Sequence, residues 1–245
     1  MNLIHQEHQG FFFCNNSDLS PSPDVFKTLL EHFGSMGLMP NIGQELNITT
    51  GENKQFVILV NGTGSLRIEF SSMHILVVQA SSTMEDFYST FMQIIEKLSA
   101  LFPFKKGNRL SIVNSKFFNG SEDQYLKLYK SLFTYKSIRP FEWENRVAEK
   151  KNLNFKESSE EVNSISTVRR GEMMSPFFNN GKLTSVIEFN IDTNTSPKNN
   201  DKRFSFKESI DLYHQIFKNN TLYTTNFTEP LSYQDSAFLK LPKFP

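Results

Sequence analysis

The chain has 245 residues, and its 26 Lys and Arg are balanced by 26 Asp and Glu. That length builds one large domain or two small ones around a core that needs no covalent staple. Neither half carries the positive excess of a polyanion-binding surface, and no apolar run reaches the ~18 residues of a membrane span. The single cysteine, Cys14, allows neither an internal disulfide nor a multi-cysteine zinc site. Met1–Gln9 places His and Glu where a secretory signal has a basic and then an apolar run, so the expected compartment is cytoplasmic. Seven Asn-x-Ser/Thr triplets are what an Asn- and Ser-rich chain makes by chance. The 25 Phe predict wide aromatic layers in the core.

Gly10–Cys14 (GFFFC) reads as a short buried first strand. Ser22-Pro23-Asp24 opens a helix with an N-cap, a first-turn proline and an acid at the positive end. Phe26, Leu29, Leu30 and Phe33 give it one apolar face, and Gly34 ends it. A meander follows. Phe56–Val60 is apolar throughout, Asn61-Gly62 is a hairpin signal, Leu66, Ile68 and Phe70 alternate with Arg67 and Glu69, and Ile75–Val78 returns. Leu46–Ile48 adds a further strand. Thr83 and Asp86 cap the longest helix, from Met84 to about Phe102, which Pro103 stops. Arg109–Phe118 reads as a strand, and Ser121–Gln124 as a capping box for a third helix.

In the second half, Phe141, Trp143 and Val147 alternate with charged residues, while residues 150–164 read as an exposed polar loop. Ile165–Met174 and Leu183–Ile191 form a hairpin across Asn179-Asn180-Gly181, and Asp192–Arg203 reads as a loop. Ser205 and Glu208 are a capping box for a helix over Phe206–Lys218, and the tail after Glu229-Pro230 is expected to be irregular. Each half thus reads as hairpin strands followed by an amphipathic helix. The expected fold is α+β, with two similar antiparallel meander-plus-helix lobes, 1–135 and 136–245, packed into one body.

The strand led by Arg109, the later strand Val186–Asp192, the helical Leu212-Tyr213-His214 and the stretch Asn226-Phe227-Thr228-Glu229 together resemble a sporadically distributed family of uncharacterised bacterial and archaeal proteins of about 250 residues. Those proteins tend to occur in mobile or defence-associated gene neighbourhoods. The resemblance carries Arg109, Asn114, Asp192 and His214 as pattern positions without an assigned role. The chain departs from the pattern after Arg109, where a second Arg and a Tyr are usual and Leu110-Ser111-Ile112-Val113-Asn114 stands instead.

Of the candidate residues, His214 sits at the edge of a helix's apolar face, with Asp211 one turn away. Arg169 and Arg170 are adjacent on a strand, so they face opposite sides and cannot serve one pocket. Asp192 shares a strand face with Glu188, but at about 13 Å, too far for a shared metal. His5 and His8 lie in a segment expected to be mobile. Lys105-Lys106-Gly107-Asn108-Arg109 is a basic loop, Asn61-Gly62-Thr63-Gly64 a hairpin turn, and Cys14 an inert core thiol. No nucleophile elbow, phosphate loop or zinc-protease motif is present, and no cofactor or metal is implied. The missing catalytic set leads to the expectation of a non-catalytic binding or regulatory module that acts with a partner protein, and the resemblance implies a setting in prokaryotic antiviral defence with that partner encoded nearby. The module's candidate contacts are Arg109, Asn114, Arg169, Arg170, Asp192 and His214. The alternatives are a nucleic-acid binder or metal-dependent nuclease, and a small-ligand (nucleotide) sensor in a cleft between the lobes.

Overall fold

The computed structural model describes residues 1–46, 48, 51–155, 158–197, 201 and 203–232. In chain order the elements are β1 (Asn2–Phe13), α1 (Pro23–Phe33), β2 (Leu38–Leu46), β3 (Asn53–Asn61), β4 (Leu66–Phe70), β5 (His74–Ala80), α2 (Met84–Leu101), β6 (Lys106–Gly107), β7 (Arg109–Asn119), α3 (Glu122–Leu132), β8 (Trp143–Phe155), β9 (Ser158–Met173), β10 (Thr184–Thr195), β11 (Phe204–Ser205) and α4 (Phe206–Ser232). Nine strands form one antiparallel sheet in the order β2-β3-β4-β5-β1-β7-β10-β9-β8. β6 and β11 make a small separate ribbon.

The fold is α+β, and each half runs strand, helix, meander, helix. These halves meet where β1 pairs with β7, whereas the expected lobes 1–135 and 136–245 meet where β7 pairs with β10, so the two lobes share a single sheet. β1 is central and begins at Asn2, which corrects the expected five-residue strand and the mobile terminus. His8 is 1% exposed at the sheet's middle.

Local signals act as their chemistry dictates. Ser22 accepts from the Val25 amide, Thr83 from the Asp86 amide, and the Ser121–Gln124 capping box closes in both directions. Ser205 and Glu208 bond reciprocally at the start of α4. Gly34 ends α1 in right-handed geometry, and the left-handed turn falls at Gly37, φ 72°, after one more 3₁₀ turn.

Three corrections concern strands. The strand expected at Leu46–Ile48 lies earlier, as β2, and ends at Leu46. The described part of the supposed loop 150–164 forms the arms of the β8–β9 hairpin. β8 is an edge strand, where charged side chains reach solvent on either face, so its sequence shows no apolar alternation. β10 continues through Asp192 to Thr195, with Thr193, Asn194 and Thr195 fully buried. Polarity concealed this extension, because those groups are satisfied by neighbouring side chains and by α4. Helix α4 runs on to Ser232, past Pro230, and the rest of the expected irregular tail lies outside the described residues.

All four helices lie on one face of the sheet. Phe206 of α4 stacks on Phe12 at 4.1 Å, and Phe87 of α2 stacks on His8. Phe91 sits over Gly10, where a Cβ would lie 2.1 Å from its ring, so only glycine leaves room for α2 at this position. Leu29 and Phe33 of α1 join Val57, Leu59 and Ile68 in the main core, and α3 closes a second cluster with Trp143, Val168 and Ile187. Aromatic rings fill both clusters, as the Phe content implied.

Candidate binding face

Strand alternation and register decide which side chains face away from the helices. From β1 this set is Glu7, Gln9, Phe11 and Phe13, and from β7 it is Arg109, Ser111, Val113, Ser115 and Phe117. From β10 it is Glu188, Asn190, Asp192 and Asn194, and from β9 Asn163, Ile165, Thr167 and Arg169. No described helix covers this face. Among the described residues the β9–β10 connection folds onto it at one end, where Phe177 stacks on His5 and Phe178 lies beside Phe117, while Ser111 and Asn194 are buried within it.

The rows across the central strands differ in chemistry. At one end Arg109, Phe13, His74 and Phe11 form a platform. The Arg109 guanidinium carbon lies 5.0 Å from the Phe13 ring centre, Phe13 and Phe11 stack at 5.5 Å, and the His74 ring is 5.4 Å and 5.8 Å from them. The Ser71 hydroxyl holds His74 Nδ1 at 3.1 Å, and burial lowers the pKa of this imidazole.

The next rows carry a chain of polar side chains. Ser111 donates to Asp192 Oδ1 at 2.7 Å, and Asn194 Nδ2 donates to Asp192 Oδ2 at 2.9 Å. Asn163 Nδ2 donates to Asn194 Oδ1 at 3.2 Å, and Asn190 Nδ2 to Ser115 Oγ at 2.9 Å. A bond between neighbours on a pleated surface fixes each amide's orientation; Asn194 is fully buried, while the half-buried Asn163, Asn190 and Asp192 keep capacity for an incoming group. The far row ends in the Arg169–Glu188 pair.

The structure separates the candidate residues. Arg109, Arg169 and Asp192 share the uncovered face. Asn114 points the other way, is 2% exposed, and donates to Thr224 of α4 at 2.9 Å, so it packs the sheet against the helix. Arg170 also faces the helices. It is buried, its guanidinium lies 4.7 Å from the Tyr125 ring centre, and it bonds to Glu122 and to the Pro140 carbonyl. His214 lies on the outer surface, in a shallow groove between α2 and α4 with a cavity of about 250 Å³, where its Nδ1 is 2.8 Å from the Tyr88 hydroxyl. The opposing-face reading of Arg169 and Arg170 holds, and so does the shared face of Glu188 and Asp192.

Cys14 is buried and its thiol is pushed up to about 11 by burial, far from reactive. The basic loop is partly tied down, because Lys105 bonds to Asp18 at 2.7 Å. Among the described residues no group of three or more His, Cys, Asp or Glu side chains is arranged to hold a metal ion.

Sequence reasoning missed Phe11, Phe13, His74, Ser111, Asn163 and Asn194. A signal existed. Arg109, Ser111 and Ser115, and Asn190, Asp192 and Asn194, place polar side chains at every second position of strands whose other positions are mostly apolar. No protein-family model and no curated protein matches the chain. No described helix is long and apolar enough to cross a membrane.

Proposed function

We propose that the protein is a non-catalytic binding module that grips a polypeptide partner on the uncovered face of its sheet. The observation that carries this reading is the charge arrangement of that face. Arg67 pairs with Glu69 at 2.7 Å, Arg169 with Glu188, and Lys150 with Glu161 at 3.6 Å. Cations held by their own carboxylates release few counterions to a phosphate backbone, which disfavours the nucleic-acid alternative. A mixed surface of amides, hydroxyls and rings suits a protein surface or an extended chain, in which donors and acceptors alternate. A cytoplasmic setting agrees with the single cysteine, a regulatory role with the missing catalytic motifs, and the defence association rests on the sequence resemblance.

The test uses the product of the neighbouring gene as the candidate partner. Co-elution with the purified protein should be abolished by Val113→Arg, which puts a charge in the middle of the face, and kept by Lys218→Glu in the α2–α4 groove. Co-elution that survives Val113→Arg, or a salt-sensitive shift of labelled RNA or DNA with no protein complex, overturns the reading.

A further inference from the structure

We infer that Arg109 is the anchor for a single carboxylate, an Asp or Glu side chain of an extended polypeptide laid across β1, β7 and β10. This inference rests on the binding-face reading above and names what that face recognises. Arg67 and Arg169, on the same face, each hold a carboxylate of the chain itself, whereas Arg109 has no ion pair and no hydrogen bond among the described residues. Its Nε is buried without a partner. Its guanidinium carbon nonetheless lies 5.0 Å from the Phe13 ring centre, a cation–π contact that steadies the side chain before anything binds. A planar guanidinium of this kind matches a carboxylate by two parallel bonds.

The surroundings favour one negative charge over two. His74 completes the platform as a neutral ring at neutral pH, since burial lowers its pKa, and so adds no second cation. Asp192 lies along the same face, bonded to Ser111, the next outward-facing residue after Arg109 on β7, and it repels a dianion more than a monoanion. Phe11 and His74 offer rings against which an apolar neighbour of the acid can pack.

The experiment is a selection of random heptapeptides displayed against the full chain, followed by fluorescence polarisation with the selected peptides. Selected sequences should carry Asp or Glu at a fixed position. Arg109→Gln should weaken their binding about 10–100-fold, while Lys218→Gln, in the α2–α4 groove away from the face, leaves it within about threefold. In the unsubstituted protein, the ¹⁵N-resolved Nε–H signal of Arg109 should shift saturably on adding a selected peptide, a readout that needs no variant to fold. Replacing the acid by Gln should abolish that shift, and replacing it by phosphoserine should weaken binding. Peptides that show no acid preference, that bind Arg109→Gln equally well, or that tighten with phosphoserine overturn the anchor while leaving the binding face intact. A library that yields no binder overturns the face reading, and the anchor with it.

Discussion

Asn220 of α4 donates its side-chain amide to the Ile191 carbonyl at 2.9 Å. The same nitrogen reaches the Ile112 carbonyl on the adjacent strand at 3.0 Å, so one fully buried carboxamide ties α4 to both central strands of the second half. Replacing it with Ala removes those bonds and leaves a void, and should cost about 2–4 kcal/mol in urea unfolding. Asn220→Asp places a carboxylate against two carbonyl oxygens, and should be worse than Ala at neutral pH and recover as the acid is protonated.

Gly10 and Phe91 form a second point of no tolerance. Gly10→Ala should lower stability by about 1–3 kcal/mol through displacement of the buried Phe91 ring. Adding Phe91→Leu makes room for the methyl group, so the double variant should be more stable than the sum of the two single losses. Strict additivity in thermal melts would contradict the close packing.

Acid should destabilise the protein through its buried imidazoles. Burial lowers the pKa of His8, 1% exposed, below its ordinary 6.5 in the folded state. The unfolded chain therefore takes up the proton first, and the stability held above pH 6.5 is lost as pH falls from there through the lowered value. His5 and His74 shift in the same direction for the same reason. The urea midpoint should drop between pH 6.5 and 5, and His8→Gln should flatten that slope even if it lowers stability at neutral pH.

Glu188 is 7% exposed and depends on Arg169 for its compensation. Arg169→Gln should cost about 1–3 kcal/mol by leaving a nearly buried carboxylate without its cation. The double variant Arg169→Gln with Glu188→Gln should recover most of the loss. Equal losses in chemical denaturation for the single and double variants would show the pair to be energetically idle.

The sequence reveals elements whose signals are local. The capping residues Thr83, Ser121 and Ser205 sit where their hydroxyls meet free amides, and the helices start there. Turn chemistry marks the hairpins at Asn61-Gly62 and Asn180-Gly181, where Asn180, Gly64 and Gly181 take positive φ. Elements whose burial comes from distant partners stay hidden. Ser164 looks like a loop residue until α4 lies over it and Asn219 bonds to it at 2.7 Å. Within the site, alternation assigns Arg169 and Arg170 to opposite faces, because it needs only the strand. The Tyr88–His214 contact and the platform of Arg109 with Phe13 require knowing that α2 meets α4 and that β1 lies beside β7. Pairings that far apart in the chain leave no periodic trace.

β1 has a consequence for how the molecule is made. It emerges from the ribosome before either neighbour exists, since Gly10 must wait for Val77 on one side and Ile112 on the other. Until then its run of three phenylalanines has nothing to pair with. Closing such long loops is slow, so those rings stay open to solvent and to other apolar surfaces until β5 and β7 have been made.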